Sequence, residues 1–299
     1  MSRRLLALVT AVSLALSGCS ASGEGRNSVV VTTNILGDLT RNIVGEQAEV
    51  TVLMKPNADP HSFGISAQQA AQVERAGLIV YNGLGLEEGM LRTVRTAEEN
   101  GVAALPVGER ANPIDYAGGT KDPHFWTDPG RVRDAVKVIA DEIVARVPGV
   151  DEKVIRANAD RYRGEIEALD AMMTRKFGSI PAERRKLVTN HHVFGYLAQR
   201  YGFEVVGAVI PGGTTLASPS SSDLKALADV VRSAGVPVIF ADSSQPDRLA
   251  RVLAEQAGLR VAVRSLFSES LSEPGQGAAT YLDMMRANTE SITTGLTRS

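Results

Sequence analysis

The chain contains four histidines, and their positions are the first indication of chemistry. His61 and His124 each follow an Asp-Pro dipeptide, while His191 and His192 are adjacent to each other. All three places are loop-like, because they are either rich in turn-forming residues or directly follow a short apolar run. A metal site needs neutral imidazoles that rigid, hydrogen-bonded backbone holds in place. The histidine pattern therefore indicates metal binding.

The sequence around the histidines predicts alternating strands and helices. From residue 29 onwards, short β-branched runs alternate with amphipathic stretches, and the alternation restarts after Pro181. Continuous apolar strands separated by helices predict a parallel sheet that is covered on both faces. We therefore expect an α/β fold with two lobes, each a roughly four-stranded parallel sheet with flanking helices.

A long amphipathic segment separates the two halves of the chain. Apolar residues recur at helical spacing over residues 151–177, and such a helix is about 40 Å long at 1.5 Å per residue. We interpret it as a rigid helix joining two lobes, with a long helix packed inside one lobe as the alternative. The predicted organisation is an N-terminal lobe at 28–149, a linking helix at 150–178 and a C-terminal lobe at 179–299.

Ligands of open parallel sheets bind beyond the carboxyl ends of the strands. His61, His124 and His191 each follow a predicted strand, and a fourth ligand is expected after the last strand, where Glu269 lies. These four residues are 63, 67 and 78 positions apart, so each quarter of the body contributes one candidate ligand. Two other acids compete for the fourth position, although capping or surface charge is the simpler interpretation of each: Asp242 and Glu273.

The N-terminus has the features of an export signal. Residues 1–4 are basic, and the apolar run at 5–16 has the length of a secretory signal rather than of a membrane span. Leu16-Ser-Gly-Cys19 resembles the lipobox of bacterial lipoproteins, with an ordinary signal peptide as the alternative. We expect residues 1–18 to be removed and Cys19 to be lipidated. Residues 19–27 would then form a flexible tether. The mature protein is expected to be anchored to the outer face of the cell membrane, or to be periplasmic.

Composition restricts the partners of the mature chain. Removing residues 1–18 takes away two arginines and no acids, so the formal charge moves from −2 to −4 and nucleic acid is not an expected partner. Cys19 is the sole cysteine, which excludes an internal disulfide bond. The remaining 281 residues are enough for two domains, and we expect a monomer.

Five segments resemble one known family, the zinc/manganese-type solute-binding proteins of bacterial ABC importers. They span nearly the whole mature chain: Asp59-Pro-His61, Asp122-Pro-His-Phe-Trp-Thr-Asp-Pro129, Thr189-Asn-His-His-Val-Phe-Gly-Tyr196, Phe240-Ala-Asp-Ser-Ser244 and Tyr281-Leu-Asp-Met-Met285. The resemblance implies two βα lobes with a metal ion between them. It assigns the ligand roles to His61, His124, His191 and Glu269. It also implies delivery of the metal to a membrane permease that a cytoplasmic ATPase drives, with a metallochaperone as a possible donor.

The chain departs from the family pattern in two places. Glu269 stands where many relatives have the shorter Asp. Residues 112–121 contain no histidine, whereas some zinc-specific relatives have a histidine-rich loop before the second motif. His192 is expected to face solvent or to contact a ligand from outside the site, because adjacent residues rarely face the same way.

The predicted ligand set favours Zn²⁺ as the transported ion. Three neutral imidazoles and one carboxylate form a four-coordinate set that suits zinc, whereas manganese prefers more oxygen. The resemblance points the same way, because relatives that carry manganese usually have an acid at the position of His191. Mn²⁺ or another divalent metal remains the alternative cargo.

Two other classes of function compete with import. A secreted zinc hydrolase would need an open position on the metal and a general base, but the chain lacks a His-Glu-x-x-His motif and all of its candidate histidines are used as ligands. The second competing class is a lipid-anchored adhesin that holds zinc as a structural ion. We predict that the protein is not an enzyme.

Overall fold

The computed structural model describes residues 27–116, 119–210, 212–257 and 261–297. It contains two four-stranded sheets, and every strand pair within each sheet is parallel. The first sheet consists of β1 (Ser28–Val31), β2 (Glu49–Val52), β3 (Leu78–Tyr81) and β4 (Ala103–Pro106) in the order β2-β1-β3-β4. The second consists of β5 (Lys186–Thr189), β6 (Glu204–Ala208), β7 (Val238–Asp242) and β8 (Ala262–Leu266) in the order β6-β5-β7-β8. The two lobes thus repeat one topology, and the predicted fold is confirmed.

Ten α-helices flank and connect these sheets within the described residues. They are α1 (Asn34–Val44), α2 (Ala67–Arg75), α3 (Leu91–Glu99), α4 (Val107–Arg110), α5 (Pro129–Arg146), α6 (Glu152–Gly178), α7 (Gly195–Tyr201), α8 (Ser221–Ala234), α9 (Arg248–Ala257) and α10 (Tyr281–Thr297). Their starts follow local chemistry: Thr33 caps α1, Asp128 caps α5 ahead of a first-turn proline, and Asp151 caps α6.

Helix α6 joins the two lobes as the sequence predicts. It has 27 residues, and its buried face carries a series of apolar side chains that includes Ile155, Ile166 and Phe177. It packs against α1, α5 and α10. One apolar core includes this face together with residues of both sheets. Because the core is continuous, the lobes have little freedom to rotate about α6.

A buried carboxylate strengthens this connection. Asp38 of α1 accepts a hydrogen bond from the Tyr162 hydroxyl of α6 at 3.2 Å and from the backbone N–H of Tyr281 at the start of α10 at 2.9 Å. Burial raises the pKa of Asp38, and the two hydrogen bonds oppose that effect. Three helices are therefore joined at one side chain.

The apolar run at 259–263 predicts the last strand, and within the described residues this strand runs from Ala262 to Leu266. The sequence does not predict the short helix α4. The predicted signal peptide, Cys19 and the tether up to residue 26 lie outside the described residues. No helix in the described part of the chain is long and apolar enough to cross a membrane.

Candidate metal centre

Four side chains meet at the boundary between the two lobes. They are His61, His124, His191 and Glu269, and each offers a ligand atom that lies within 4.8 Å of all the others. Every one is buried, with at most 3% of the residue exposed. Among the described residues this is the only group of three or more His, Cys, Asp or Glu side chains that is arranged to hold a metal ion. The structure therefore brings together all four residues that the sequence singles out.

The carboxylate of Glu269 lies among the three rings. Its Oε1 is 2.8 Å from His191 Nε2 and 3.4 Å from His124 Nε2, while its Oε2 is 3.8 Å from His61 Nε2. None of these five atoms has a hydrogen-bond partner in the described structure. An unpartnered buried polar atom costs about 1–3 kcal/mol. Several such atoms facing one another are arranged to accept a cation.

Burial sets the protonation of the cluster. It lowers the pKa of His61 to about 2, with His124 and His191 as further causes, and it also lowers the pKa of His191. Burial likewise raises the pKa of Glu269 well above its ordinary value. The His61 and His191 rings are therefore neutral at physiological pH, which is the form that binds metals, and a bound cation would favour the ionised form of Glu269 against the effect of burial.

The two Asp-Pro-His segments share one local structure. In each segment the backbone N–H of the histidine donates to Oδ1 of the aspartate two residues earlier, at 2.9 Å from His61 to Asp59 and at 2.9 Å from His124 to Asp122. Asp122 Oδ1 also lies 2.7 Å from Nδ1 of the His124 ring. This contact assigns the proton to Nδ1 and leaves Nε2 of His124 free to bind a metal ion.

The loop of His191 is fitted closely around Asp122. Thr189 at the end of β5 donates a hydrogen bond to the backbone carbonyl of His191 at 2.8 Å, which fixes the turn. Gly195, the first residue of α7, comes so near that a Cβ there would lie 2.8 Å from Asp122 Oδ2. The Tyr196 hydroxyl donates to the backbone carbonyl of Asp122 at 2.5 Å. The His191 loop therefore supports the residue that orients His124.

The loop of Glu269 is bound by residues of the opposite, N-terminal lobe. The Trp126 indole N–H donates to the carbonyl of Ser268 at 2.9 Å, so that Trp126 contributes to the lobe boundary. From α1, the Asn34 amide donates to the Ser270 hydroxyl at 2.7 Å and accepts from the backbone N–H of Leu271 at 2.9 Å. The sequence did not reveal Asn34 as a partner, because an asparagine at the start of a helix is indistinguishable from a cap.

The competing candidates lie outside the cluster. Asp242 uses both carboxylate oxygens as acceptors, with Oδ1 bonded to the N–H and hydroxyl of Ser244 and Oδ2 to the hydroxyl of Ser268. Glu273 is exposed. His192 is half-buried, and its ring contacts that of Tyr116 at a centroid distance of 5.5 Å. Tyr116 belongs to the segment at 112–121 in which the sequence lacks histidine.

Comparison with known proteins identifies relatives over almost the whole chain. The family model described as zinc-uptake complex component A, periplasmic (ZnuA) matches residues 29–295. The zinc-binding protein TroA of Treponema pallidum is 31% identical over 98% of this chain and 96% of its own length. The manganese-binding lipoprotein MntA of Bacillus subtilis is 29% identical over 99% of this chain and its full length.

Solved structures show the same architecture. The TroA structure superposes with a TM-score of 0.85 at 31% identity, covering 92% of this chain and all of the TroA chain. A manganese-bound periplasmic protein from Candidatus Liberibacter asiaticus superposes with a TM-score of 0.81 at 26% identity, covering 90% of this chain and 99% of its own. From the family match, the fold and these relatives together, we conclude that the chain belongs to the ZnuA family, the zinc- and manganese-type solute-binding proteins of ABC importers.

Proposed function

We propose that this importer component binds Zn²⁺ through His61, His124, His191 and Glu269 and hands it to a membrane permease. The observation that carries the proposal is the buried group of ligand atoms that lack hydrogen-bond partners in the described structure. A divalent cation replaces those missing partners, and its charge favours the ionised form of Glu269. Because four protein ligands complete a tetrahedral shell, the arrangement suits a carried or structural zinc rather than a catalytic one.

Manganese is the second candidate, because several relatives are named as manganese-binding lipoproteins and one neighbour was solved with manganese. The ligand chemistry favours zinc: three imidazole nitrogens and one carboxylate supply less oxygen than manganese prefers. The longer side chain of Glu269 can still present both oxygens, which would raise the oxygen count.

Metal content measured on purified protein tests the proposal. We expect one zinc ion per chain after exposure to equal concentrations of Zn²⁺ and Mn²⁺, with elemental analysis as the readout. Alanine at His61, His124 or His191 removes one ligand and should abolish stable retention during gel filtration. His192→Ala is the matched control, because it removes a neighbouring imidazole that lies outside the cluster. Manganese retention in preference to zinc would overturn the choice of metal.

The fourth ligand needs its own test, because Asp242 is the alternative acid. Glu269→Ala should weaken zinc binding, whereas Asp242→Asn should leave one zinc ion bound per chain, since both of its oxygens already accept hydrogen bonds. Loss of zinc in the Asp242 variant but not in the Glu269 variant would assign the ligand role to Asp242.

The role in transport extends to regions that the structure does not describe. We propose that residues 1–18 are a signal peptide and that lipid on Cys19 anchors the monomer through a tether at 19–27. We also propose two lobes, at 28–149 and 179–299, joined by a helix at 150–178.

The proposed partners in transport are an ABC permease with its ATPase, and a metallochaperone is a possible donor of the metal. Uptake of radiolabelled zinc in cells that lack their own zinc-binding component tests this role, with a Cys19→Ala variant testing the anchor.

A further inference from the structure

The loop that carries His61 is bound to the opposite lobe through the carboxylate of Asp59. Oδ1 of Asp59 accepts the backbone N–H of His61 at 2.9 Å. Oδ2 accepts the Thr215 hydroxyl at 2.6 Å and the side-chain amide of Gln245 at 2.9 Å. Thr215 follows β6 and Gln245 follows β7, so both donors come from the C-terminal lobe. We name this set, Asp59 with Thr215 and Gln245, the Asp59 clasp.

Four donors bond to the Asp59 carboxylate. The Ser62 hydroxyl also donates to Oδ2, at 3.1 Å, so that Oδ2 accepts three hydrogen bonds and Oδ1 accepts one. A single rigid group thus fixes the position of His61 and the contact between the lobes at once, so that neither changes without the other.

The clasp differs from the connection between Asn34 and the Glu269 loop, which also crosses the lobe boundary. Asn34 and Ser270 in that connection are buried, whereas Thr215 and Gln245 are only partly buried. Water can therefore compete more readily for the hydrogen bonds of Thr215 and Gln245 than for the bond between Asn34 and Ser270. Local opening occurs where backbone and side-chain hydrogen bonds are exposed. The metal centre should open at the Asp59 clasp rather than at the Glu269 loop.

We propose that Asp59 is a positioning residue that links His61 to the local contact between the lobes, and that opening of the clasp sets the rate of metal release. This inference rests on the proposed function, because it requires a metal ion at His61. While the clasp is closed, His61 is held in place against the other ligands. When Thr215 and Gln245 separate from Asp59, the His61 loop gains freedom and the metal ion loses one of its ligands.

The dissociation rate of zinc tests the inference. Zinc-loaded protein is mixed with an excess of a chromogenic chelator, and the absorbance of the zinc–chelator complex is followed over time. Thr215→Val has nearly the same shape but lacks the hydroxyl, so release should accelerate about fivefold, the effect of one partly exposed hydrogen bond to a charged group. Combining it with Gln245→Met should accelerate release about twentyfold, if the two bonds act together.

Two control variants separate the clasp from general loop damage. Thr215→Ser keeps the hydroxyl and should restore a release rate close to that of the unaltered protein. Ser62→Ala removes a donor to the same Asp59 oxygen, but that donor belongs to the His61 loop itself and does not join the lobes. We expect Ser62→Ala to change release less than Thr215→Val does. Equal rates for Thr215→Val and the unaltered protein, or equal acceleration by Ser62→Ala, would overturn the inference.

Zinc content distinguishes this inference from the proposed function. If the unaltered protein binds no zinc, the proposed function fails and no release rate exists. If every variant carries one zinc ion per chain but all release it at the same rate, the proposed function stands and the clasp does not control release.

Discussion

The two Asp-Pro-His segments have the same three residues, but the aspartates of the two segments make different contacts. Both aspartates accept the backbone N–H of their histidine at 2.9 Å. Asp122 then accepts the Nδ1 proton of the His124 ring as well, at 2.7 Å, and so acts on a ligand directly. Asp59 instead directs its second oxygen to Thr215 and Gln245 across the lobe boundary. One motif thus produces an oriented ligand in one place and a contact between lobes in the other.

The comparison predicts its largest effect at Asp122. Asp122→Asn replaces the acceptor of the Nδ1 proton with an amide, so the tautomer and angle of the His124 ring are no longer fixed. We expect zinc affinity to fall about 10- to 100-fold, the usual effect of removing such a partner. Competition with a chelator of known affinity measures the change.

Two further aspartates serve as references for that experiment. Asp59→Asn should lower the equilibrium affinity less than Asp122→Asn, because Asp59 contacts the backbone of its histidine rather than the ring. Asp115→Asn alters an exposed carboxylate paired with Lys121 and should have no effect. Equal losses at Asp59 and Asp122 would show that the two motifs act in the same way.

The second prediction disturbs Asp122 without changing it. Gly195→Ala adds a Cβ that would lie 2.8 Å from Asp122 Oδ2, so the carboxylate must move away from its present position. Zinc affinity should fall by about tenfold, at the lower end of the effect of losing the aspartate. Gly164→Ala in α6 is the control, since nothing lies within 4 Å of the added carbon there. Unchanged affinity in Gly195→Ala would mean that Asp122 can shift without loosening His124.

The third prediction concerns His61 in protein that has been stripped of metal. The pKa of His61 is about 2 in the folded chain but near 6.5 when the chain unfolds, so between these values only the unfolded state binds the proton. The free energy of unfolding should therefore fall on acidification below pH 6.5, by about 1.4 kcal/mol per pH unit from this residue. His61→Gln removes that contribution.

Urea unfolding at pH 7, 6 and 5 compares the two proteins. The raised pKa of Glu269 has the opposite sign, because it favours the folded state at low pH and this stabilisation is lost as pH rises. It is present in both proteins and largely cancels in the difference. If His61→Gln and the unaltered protein lose stability equally between pH 7 and pH 5, then His61 is not held neutral by burial.

The apolar runs predicted most of the fold because the central strands are almost entirely buried. β3 and β7 have only buried residues, and each reads as an apolar run in the sequence. The position of β8 is harder to predict, because it lies at the edge of its sheet and, within the described residues, pairs with β7 alone. Four of its five residues are partly exposed or exposed, and Arg264 is one of them. An edge strand carries a weak apolar signal.

The ligands of the cluster could be predicted from the sequence, whereas the contacts that support them could not. Histidine is rare in this chain, and strand ends of parallel sheets meet on one edge, so the positions of His61, His124 and His191 had a topological explanation. No comparable feature of the sequence predicts the partners of Asp59. Thr215 and Gln245 are 156 and 186 residues away in polar loops that have no periodicity, and only the folded chain shows that they meet.

The smallest predicted effect is a change in the fluorescence of Trp126, which lies in the second Asp-Pro-His segment two residues after His124. Trp126 is the sole tryptophan, its ring lies 5.3 Å from that of His124, and its N–H is bonded to the residue before Glu269. Zinc binding places positive charge at His124 and at Glu269, the residue after Ser268, so the emission intensity should change on titration. His192→Ala should preserve the change, and His124→Ala should remove it. A protein that holds one zinc ion per chain without any change in emission would show that the metal leaves the surroundings of Trp126 unaltered, and that the contacts of the second motif are already fixed before the ion arrives.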